Sequence, residues 1–169
     1  MRALVEQSHD YQVGLVASNK PDAAGLEWAR GRGLQTWSLE SKGLDKEAFD
    51  RKLSAELVAR GVGTIALAGF MRILSPWFVE EWRGRIVNIH PSLLPKYRGL
   101  DTHARAIEAG DRVSGCSVHI VTEELDAGEV LGQAEVPVLP GDTVATLEER
   151  VLAAEHRLYP QVLSEFVKR

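Results

Sequence analysis

The sequence holds a single cysteine, Cys116, in 169 residues. That scarcity excludes an internal disulfide framework and a metal site built on cysteines alone, and it fits a reducing compartment. Long apolar runs are also missing: none approaches the ~18 residues of a membrane span. The opening Met1-Arg2-Ala3-Leu4-Val5-Glu6 lacks the uninterrupted apolar stretch of a secretion signal. The chain is therefore expected in the cytoplasm, without a membrane partner. It has no excess of positive charge either. The formal net charge is −4, whereas domains that grip nucleic acid by its phosphates carry a basic face. Several signature loops are absent: there is no GxSxG elbow and no GxxxxGK[ST] phosphate loop, and the glycines at 61, 63 and 69 do not form GxGxxG. With no repeat, low-complexity tract or linker, residues 1–169 read as a single domain. Its composition, 44% apolar and 26% charged, is that of a globular protein.

What is present is an alternation of short apolar runs with amphipathic stretches. Val13–Ala17 reads as a strand closed by the turn cluster Ser18–Asp22, with Asp22 expected to cap the helix that runs to Gly31-Arg32-Gly33. Thr36–Leu39 is a weak strand. Between Asp45 and about Arg60, Phe49, Leu53, Leu57 and Val58 recur at helical spacing. Thr64–Ala68 is apolar enough for a strand buried on both faces, and Arg85–His90 is another strand, ended by Pro91. Cys116–Val121 and Val130–Val138 alternate as two strands with one wet face. Thr143–Phe166 is a long helix with the stripe Leu147, Val151, Leu158 and Val162, which Pro160 is expected to kink or interrupt. The order predicts an α/β sheet, parallel in its first part. Ligands of such sheets sit beyond the carboxyl ends of the strands, here Gly69–Arg72 and His90-Pro91-Ser92.

The densest polar cluster is Asn88-Ile89-His90-Pro91-Ser92. Asn88 and His90 are two apart and project to one side of a strand. An amide that polarises a carbonyl, beside an imidazole that moves a proton, suits acyl transfer; a hydrogen-bonded strand end is the plainer alternative. Asp126, in a small-residue loop, is positioned either to support the imidazole or simply to shape a turn. His103 and His119 raise the question of a metal, but no HxH or HExxH spacing appears, and no metal is expected. His119 reads instead as a strand side chain packed beside the site. Phe70, Met71, Ile73 and Leu74 are either plain core or the lining of an apolar slot for a flat heterocycle, with Arg72 among them.

Taken together, Ala66–Ser75, Val87–Tyr97, Gly99–His103, Ser117–His119, Glu124–Gly128 and Glu155–Pro160 resemble the folate-dependent formyltransferases, the glycinamide ribonucleotide branch above all. The resemblance keeps the family's order and spacing over nearly the whole chain. It implies a Rossmann-like, mostly parallel sheet and transfer of a formyl group from 10-formyltetrahydrofolate to the amine of glycinamide ribonucleotide. Asn88 and His90 would then stabilise the tetrahedral intermediate, and Asp126 would support His90, with Ser117 and His119 beside them. Folate contacts fall on Lys46, Phe70, Met71, Arg72, Ile73, Leu74, Ile86, Asn88 and the loop Thr122, Glu123, Glu124, Leu125 and Asp126. Lys46 stands where the family commonly carries an arginine, so the bidentate fork is lost. Ile89, Pro91 and Glu155 fall at the ribonucleotide. Arg98 replaces the branch's usual proline, and Lys96-Tyr97-Arg98-Gly99 also resembles sugar-amine formyltransferases. The implied partners are small molecules, and a homodimer stays open.

In the family, a strand and a Gly-Ser-Asn turn suited to phosphate precede a helix that begins much like Met1-Arg2-Ala3-Leu4. The resemblance therefore implies an N-terminally truncated domain. Upstream residues are the expectation, with Met1 an internal methionine; a truncated folate-binding relative without transfer activity is the alternative.

Overall fold

The computed structural model describes all 169 residues. Its elements run α1 (Arg2–Glu6), β1 (Val16–Ser18), α2 (Ala24–Gly31), β2 (Thr36–Ser38), α3 (Lys46–Ala59), β3 (Ile65–Leu67), α4 (Pro76–Glu81) and β4 (Ile86–His90). They continue through α5 (Thr102–Glu108), β5 (Val113–Ile120), β6 (Val130–Pro137) and α6 (Val144–Phe166). β1 pairs with β2 and β3 with β4, both in parallel, while β4–β5 and β5–β6 are antiparallel. The α/β class, the parallel first part, the later hairpin and the closing helix match the sequence reading. One feature differs: the strands form two sheets, β1-β2 and β3-β4-β5-β6, because β1 and β3 do not pair.

Helix α3 starts where Asp45 accepts the Ala48 N–H at 2.8 Å, an N-cap bond that satisfies an otherwise orphaned donor. It buries Phe49, Leu53 and Leu57, whereas Val58, expected in the same stripe, is 61% exposed. Two polar residues, Asp50 and Ser54, are buried in its stead. Asp50 accepts the Ser75 N–H at 2.6 Å and Ser54 accepts the Trp82 indole N–H at 3.0 Å. These bonds dock α4, and with it the loop that follows β3. The α4 helix itself, absent from the sequence reading, carries a plain signal: Ser75 caps Phe78 N–H at 3.2 Å and Pro76 opens the first turn.

Two further expectations are corrected. Asp22 does not cap α2; the N-cap is Ala23, with no side-chain bond. A turn closed by Ala23 N–H to the Lys20 carbonyl at 3.1 Å leaves Asp22 ahead of the helix. Of the two outcomes expected at Pro160, a kink or an interruption, the interruption does not occur: α6 runs unbroken from a Thr143–Thr146 capping box. Proline deprives the carbonyl four residues earlier of its helical donor. That carbonyl, His156, accepts instead from the Gln7 side-chain amide at 3.2 Å, so the break is patched from α1.

Apolar clusters lie on both faces of the sheet. Phe49, Leu53, Leu57, Phe78 and Trp82 pack with Ile86 on the α3–α4 side, while Leu4, Tyr159, Val162 and Leu163 pack with Val87 and Val118 on the α1–α6 side. The Tyr159 hydroxyl reaches the carbonyls of Leu67 at 3.0 Å and Val87 at 2.8 Å, fastening α6 to β3 and β4.

Candidate active site

The register of β4 against β5 sets Asn88 opposite His119 and His90 opposite Ser117. Directly opposed residues share a face, and residues two apart share it too, so all four side chains project from the same side of the sheet. The loop after β5 folds back and brings in the Asp126 carboxylate. Its Oδ2 lies 3.3 Å from His90 Nδ1 and its Oδ1 3.6 Å from His119 Nε2. The His90 and Asp126 side chains are each 8% exposed. Asn88, His90 and Asp126, 38 residues apart in sequence (126 − 88), meet in one place.

Hydrogen-bond bookkeeping assigns the protons. His119 Nδ1 lies 3.0 Å from the Ile120 carbonyl, which only accepts, so Nδ1 carries the hydrogen. Burial, the largest influence, holds the His119 pKa below its ordinary value, and the ring stays neutral. Its Nε2 lone pair then accepts from the Asn88 Nδ2–H at 3.3 Å, which fixes which way the amide faces. At 3.6 Å the same lone pair makes no bond to Asp126. The carboxylate belongs to His90. The other His90 nitrogen, Nε2, donates to the Tyr97 carbonyl at 2.9 Å. Both His90 nitrogens thus face oxygen atoms.

Ser117 supports this face from behind: its hydroxyl donates to the Ser92 carbonyl at 2.6 Å and accepts from Leu94 N–H at 3.0 Å and Gln133 Nε2 at 2.8 Å. It ties the loop after β4 to β5. Around the polar cluster the loops expose apolar surface: Met71 is 81%, Ile73 68%, Leu100 71% and Leu125 57% exposed. Such a rim suits a flat ring that one face of a ligand presents. Thr122, Glu123 and Glu124 are exposed in the same loop as Asp126, and Glu124 pairs with Arg98 at 2.7 Å. Arg72 stacks over the Phe49 ring at 4.8 Å, and Phe70 packs beside that cluster.

Other singled-out residues stand elsewhere. The side chains of Leu74 and Ile86 are buried in the α3–α4 cluster, and Ile89 packs against the two clusters on the opposite face. Pro91 is half-buried beside His90. Lys46 is the exposed first residue of α3, with no contact to the polar cluster. His103 sits on α5 with its buried Nδ1 unpartnered. Nowhere do three His, Cys, Asp or Glu side chains gather as metal ligands.

Two participants escape a reading of side chains because they act through the backbone: the Tyr97 carbonyl on His90, and the Gly99 N–H, which donates to Asp126 at 2.9 Å. The Lys96–Gly99 stretch stood out in the sequence only through resemblance. Its local signal is conformational. Tyr97, Asp101 and Asp126 are the three non-glycine residues with positive φ, at 53°, 58° and 49°, and such strain gathers where surroundings impose it.

The formyl transferase family model matches residues 1–163. The chain belongs to the formyl transferase family. It is 52% identical over 155 residues to the Escherichia coli phosphoribosylglycinamide formyltransferase, covering 91% of this chain and 73% of that one. It is 43% identical over 168 residues to the human trifunctional purine biosynthetic protein adenosine-3, of which it spans 17%. Solved phosphoribosylglycinamide formyltransferases superpose closely. The Bacillus halodurans structure gives a TM-score of 0.93 at 33% identity, covering 99% of this chain and 89% of that one. The Brucella melitensis structure gives 0.90 at 46% identity, with 97% and 87% covered.

In this formyl transferase, Glu155 is the carboxyl most disturbed by its surroundings. Burial, helped by Glu148 and opposed by the Met1 amine, pushes its pKa from the ordinary 4.5 up to about 7. The folded chain therefore holds a proton that the unfolded chain releases between those values, and stability falls as pH rises through that window. Glu155→Gln is expected to flatten this part of the stability–pH curve. The variant should gain about 2 kcal/mol on wild type between pH 4.5 and 8, after allowance for partial exposure. Thermal melts of both proteins across that range check it, and parallel curves would refute the assignment. No helix is long and apolar enough to cross a membrane.

Proposed function

We propose that this chain transfers a formyl group from 10-formyltetrahydrofolate to the amine of glycinamide ribonucleotide, in the cytoplasm. The observation that carries the reading is the meeting of Asn88, His90 and Asp126 on one buried face beside the exposed apolar rim of Met71, Ile73, Leu100 and Leu125. That rim fits a pterin ring, and the polar face fits the formyl carbon it delivers.

The residues divide the work. The substrate amine forms the new N–C bond as it attacks the formyl carbon. The Asn88 Nδ2–H not given to His119 donates to the oxygen as it gains negative charge, with the His90 ring fixed alongside. Asp126, 3.3 Å from His90, keeps that ring oriented. As the old C–N bond of the folate breaks, the proton shed by the attacking amine passes to the leaving nitrogen, directly or through a water between them. No covalent enzyme intermediate is required. By the family resemblance Glu155, half-buried and with its pKa raised to about 7, is the carboxyl that would contact the ribonucleotide.

A second reading concerns the gap between the sheets. A cavity of about 720 Å³ runs between β1 and β3, lined by Leu15, Ala17, Ala66 and Ala68 and reached by Met1 and Leu163. Val16 and Ser18 bond toward β2, and Ile65 bonds toward β4, so in these parallel pairs Ala17 and Ala66 turn their N–H and C=O into the cavity. Unpaired strand groups invite another strand. We place there an extended segment joined ahead of Met1, apolar on both faces, and read this 169-residue chain as the remainder of a longer transferase. The test is formyl transfer by the 169-residue chain against one extended by the in-frame upstream codons. Activity in the longer protein alone supports both readings. Activity in neither, with both folded, would reject glycinamide ribonucleotide as acceptor and favour another amine or simple folate binding.

A further inference from the structure

We propose that Tyr97 and Asp111 are positioning residues for His90, acting through the backbone carbonyl of Tyr97. The inference rests on His90 taking part in the reaction. The Tyr97 carbonyl holds His90 Nε2 at 2.9 Å, and Tyr97 presents it from φ 53°. A bulky residue in the left-handed region is an outlier that persists only when its neighbours over-determine it.

Those neighbours are identifiable. The Tyr97 hydroxyl donates to Asp111 Oδ2 at 2.8 Å, and Lys96 Nζ binds both oxygens of the same carboxylate at 2.9 and 2.8 Å. Asp111 therefore grips two consecutive residues at once, and both bonds hold its carboxyl below the usual carboxylate range. From the other side the Arg105 guanidinium stacks 5.0 Å from the Tyr97 ring while its Nη1 donates to the carbonyls of Arg98 at 2.7 Å and Leu100 at 3.3 Å. The Ser92 hydroxyl bonds the Lys96 carbonyl at 2.6 Å. With Gly99 N–H on Asp126 at 2.9 Å, the Lys96–Gly99 turn holds both partners of the imidazole. One of its residues supplies the acceptor for Nε2, and another anchors the carboxylate beside Nδ1.

None of this network needs to touch substrate. Asp111 lies beyond the end of α5 and is part of no other contact to the polar face. Its consequence is therefore on the orientation of the ring rather than on binding. Misplacing a reacting group by about an ångström costs up to ~100-fold in rate.

The test uses the catalytically competent protein, in whichever length is active, and reads two quantities. Tyr97→Phe and Asp111→Ala are expected to lower kcat ~10- to 100-fold with KM within about threefold. They should also broaden or lose the hydrogen-bonded Nε2–H signal of His90 in nitrogen-edited NMR of the imidazoles. Asp111→Asn keeps an acceptor for the Tyr97 hydroxyl and is expected to restore most of both readouts. Unchanged kcat with the Nε2–H signal intact would overturn the proposal, as would a rise in KM that accounts for the whole loss. If Asp111→Ala fails to fold, Tyr97→Phe, which removes one hydroxyl, decides alone. An active His90→Ala protein would instead sink the underlying reading, so the two failures are told apart.

Discussion

His90→Ala is expected to lower kcat for formyl transfer by ~10²- to 10⁴-fold, the range for a group that handles a proton or its charge in the transition state. The ring is held at both nitrogens, by Asp126 at 3.3 Å and the Tyr97 carbonyl at 2.9 Å, and it is buried. A side chain fixed so tightly loses little further freedom in the reaction, which is what preorganised stabilisation requires. Alanine also leaves the buried Asp126 carboxylate with the Gly99 N–H as its remaining donor, a loss of about 1–3 kcal/mol of stability. Activity is therefore measured below the midpoint of a thermal melt recorded on the same sample. A folded variant that retains more than a tenth of wild-type kcat would remove His90 from the chemistry. KM for the folate should stay within a few-fold, because the apolar rim of Met71, Ile73 and Leu125 is left in place.

Asn88 and His90 were legible because a strand fixes relative direction locally. Two residues apart on β4, they share a face whatever the rest of the chain does. Asp126 reads as a support for the imidazole or a turn residue, and sequence alone does not choose between them, since its contact depends on a nine-residue loop, 121–129, folding back across the sheet. Backbone groups were invisible in principle: every residue but proline offers the same N–H and C=O as Tyr97 and Gly99, and only tertiary structure says where they point. The long helices α3 and α6 followed from periodicity. The short α4, whose Ser75-Pro76 start was readable, was lost among apolar residues that looked equally like a ligand pocket. The expected interruption at Pro160 is absent for an instructive reason. The cost of proline in a helix is a missing donor and a clash, and the donor can be replaced from outside, here by Gln7. Residues 7 and 160 have no sequence-local relation.

Asn88→Ala is expected to cost ~10²- to 10³-fold in kcat, the loss seen when a single donor to a developing oxyanion is removed. The amide is a neutral donor on the polar face with one N–H not taken by a protein acceptor, and its direction is not free. His119, kept neutral by burial and with its Nδ1–H on the Ile120 carbonyl at 3.0 Å, can only accept at Nε2, so it takes one Nδ2–H and turns the other outward. Asn88→Asp is the sharper form of the experiment. It preserves shape but exchanges the donor for a carboxylate beside Asp126, so it should lose at least as much kcat as the alanine variant. His119→Phe leaves the Asn88 side chain in place and removes only what orients it. An intermediate loss of ~10-fold is expected there, since a loosened donor still reaches the oxygen part of the time. If Asn88→Ala and Asn88→Asp both keep wild-type kcat while KM rises, the amide binds substrate equally in ground and transition states. The stabilising donor would then have to come from elsewhere on the polar face.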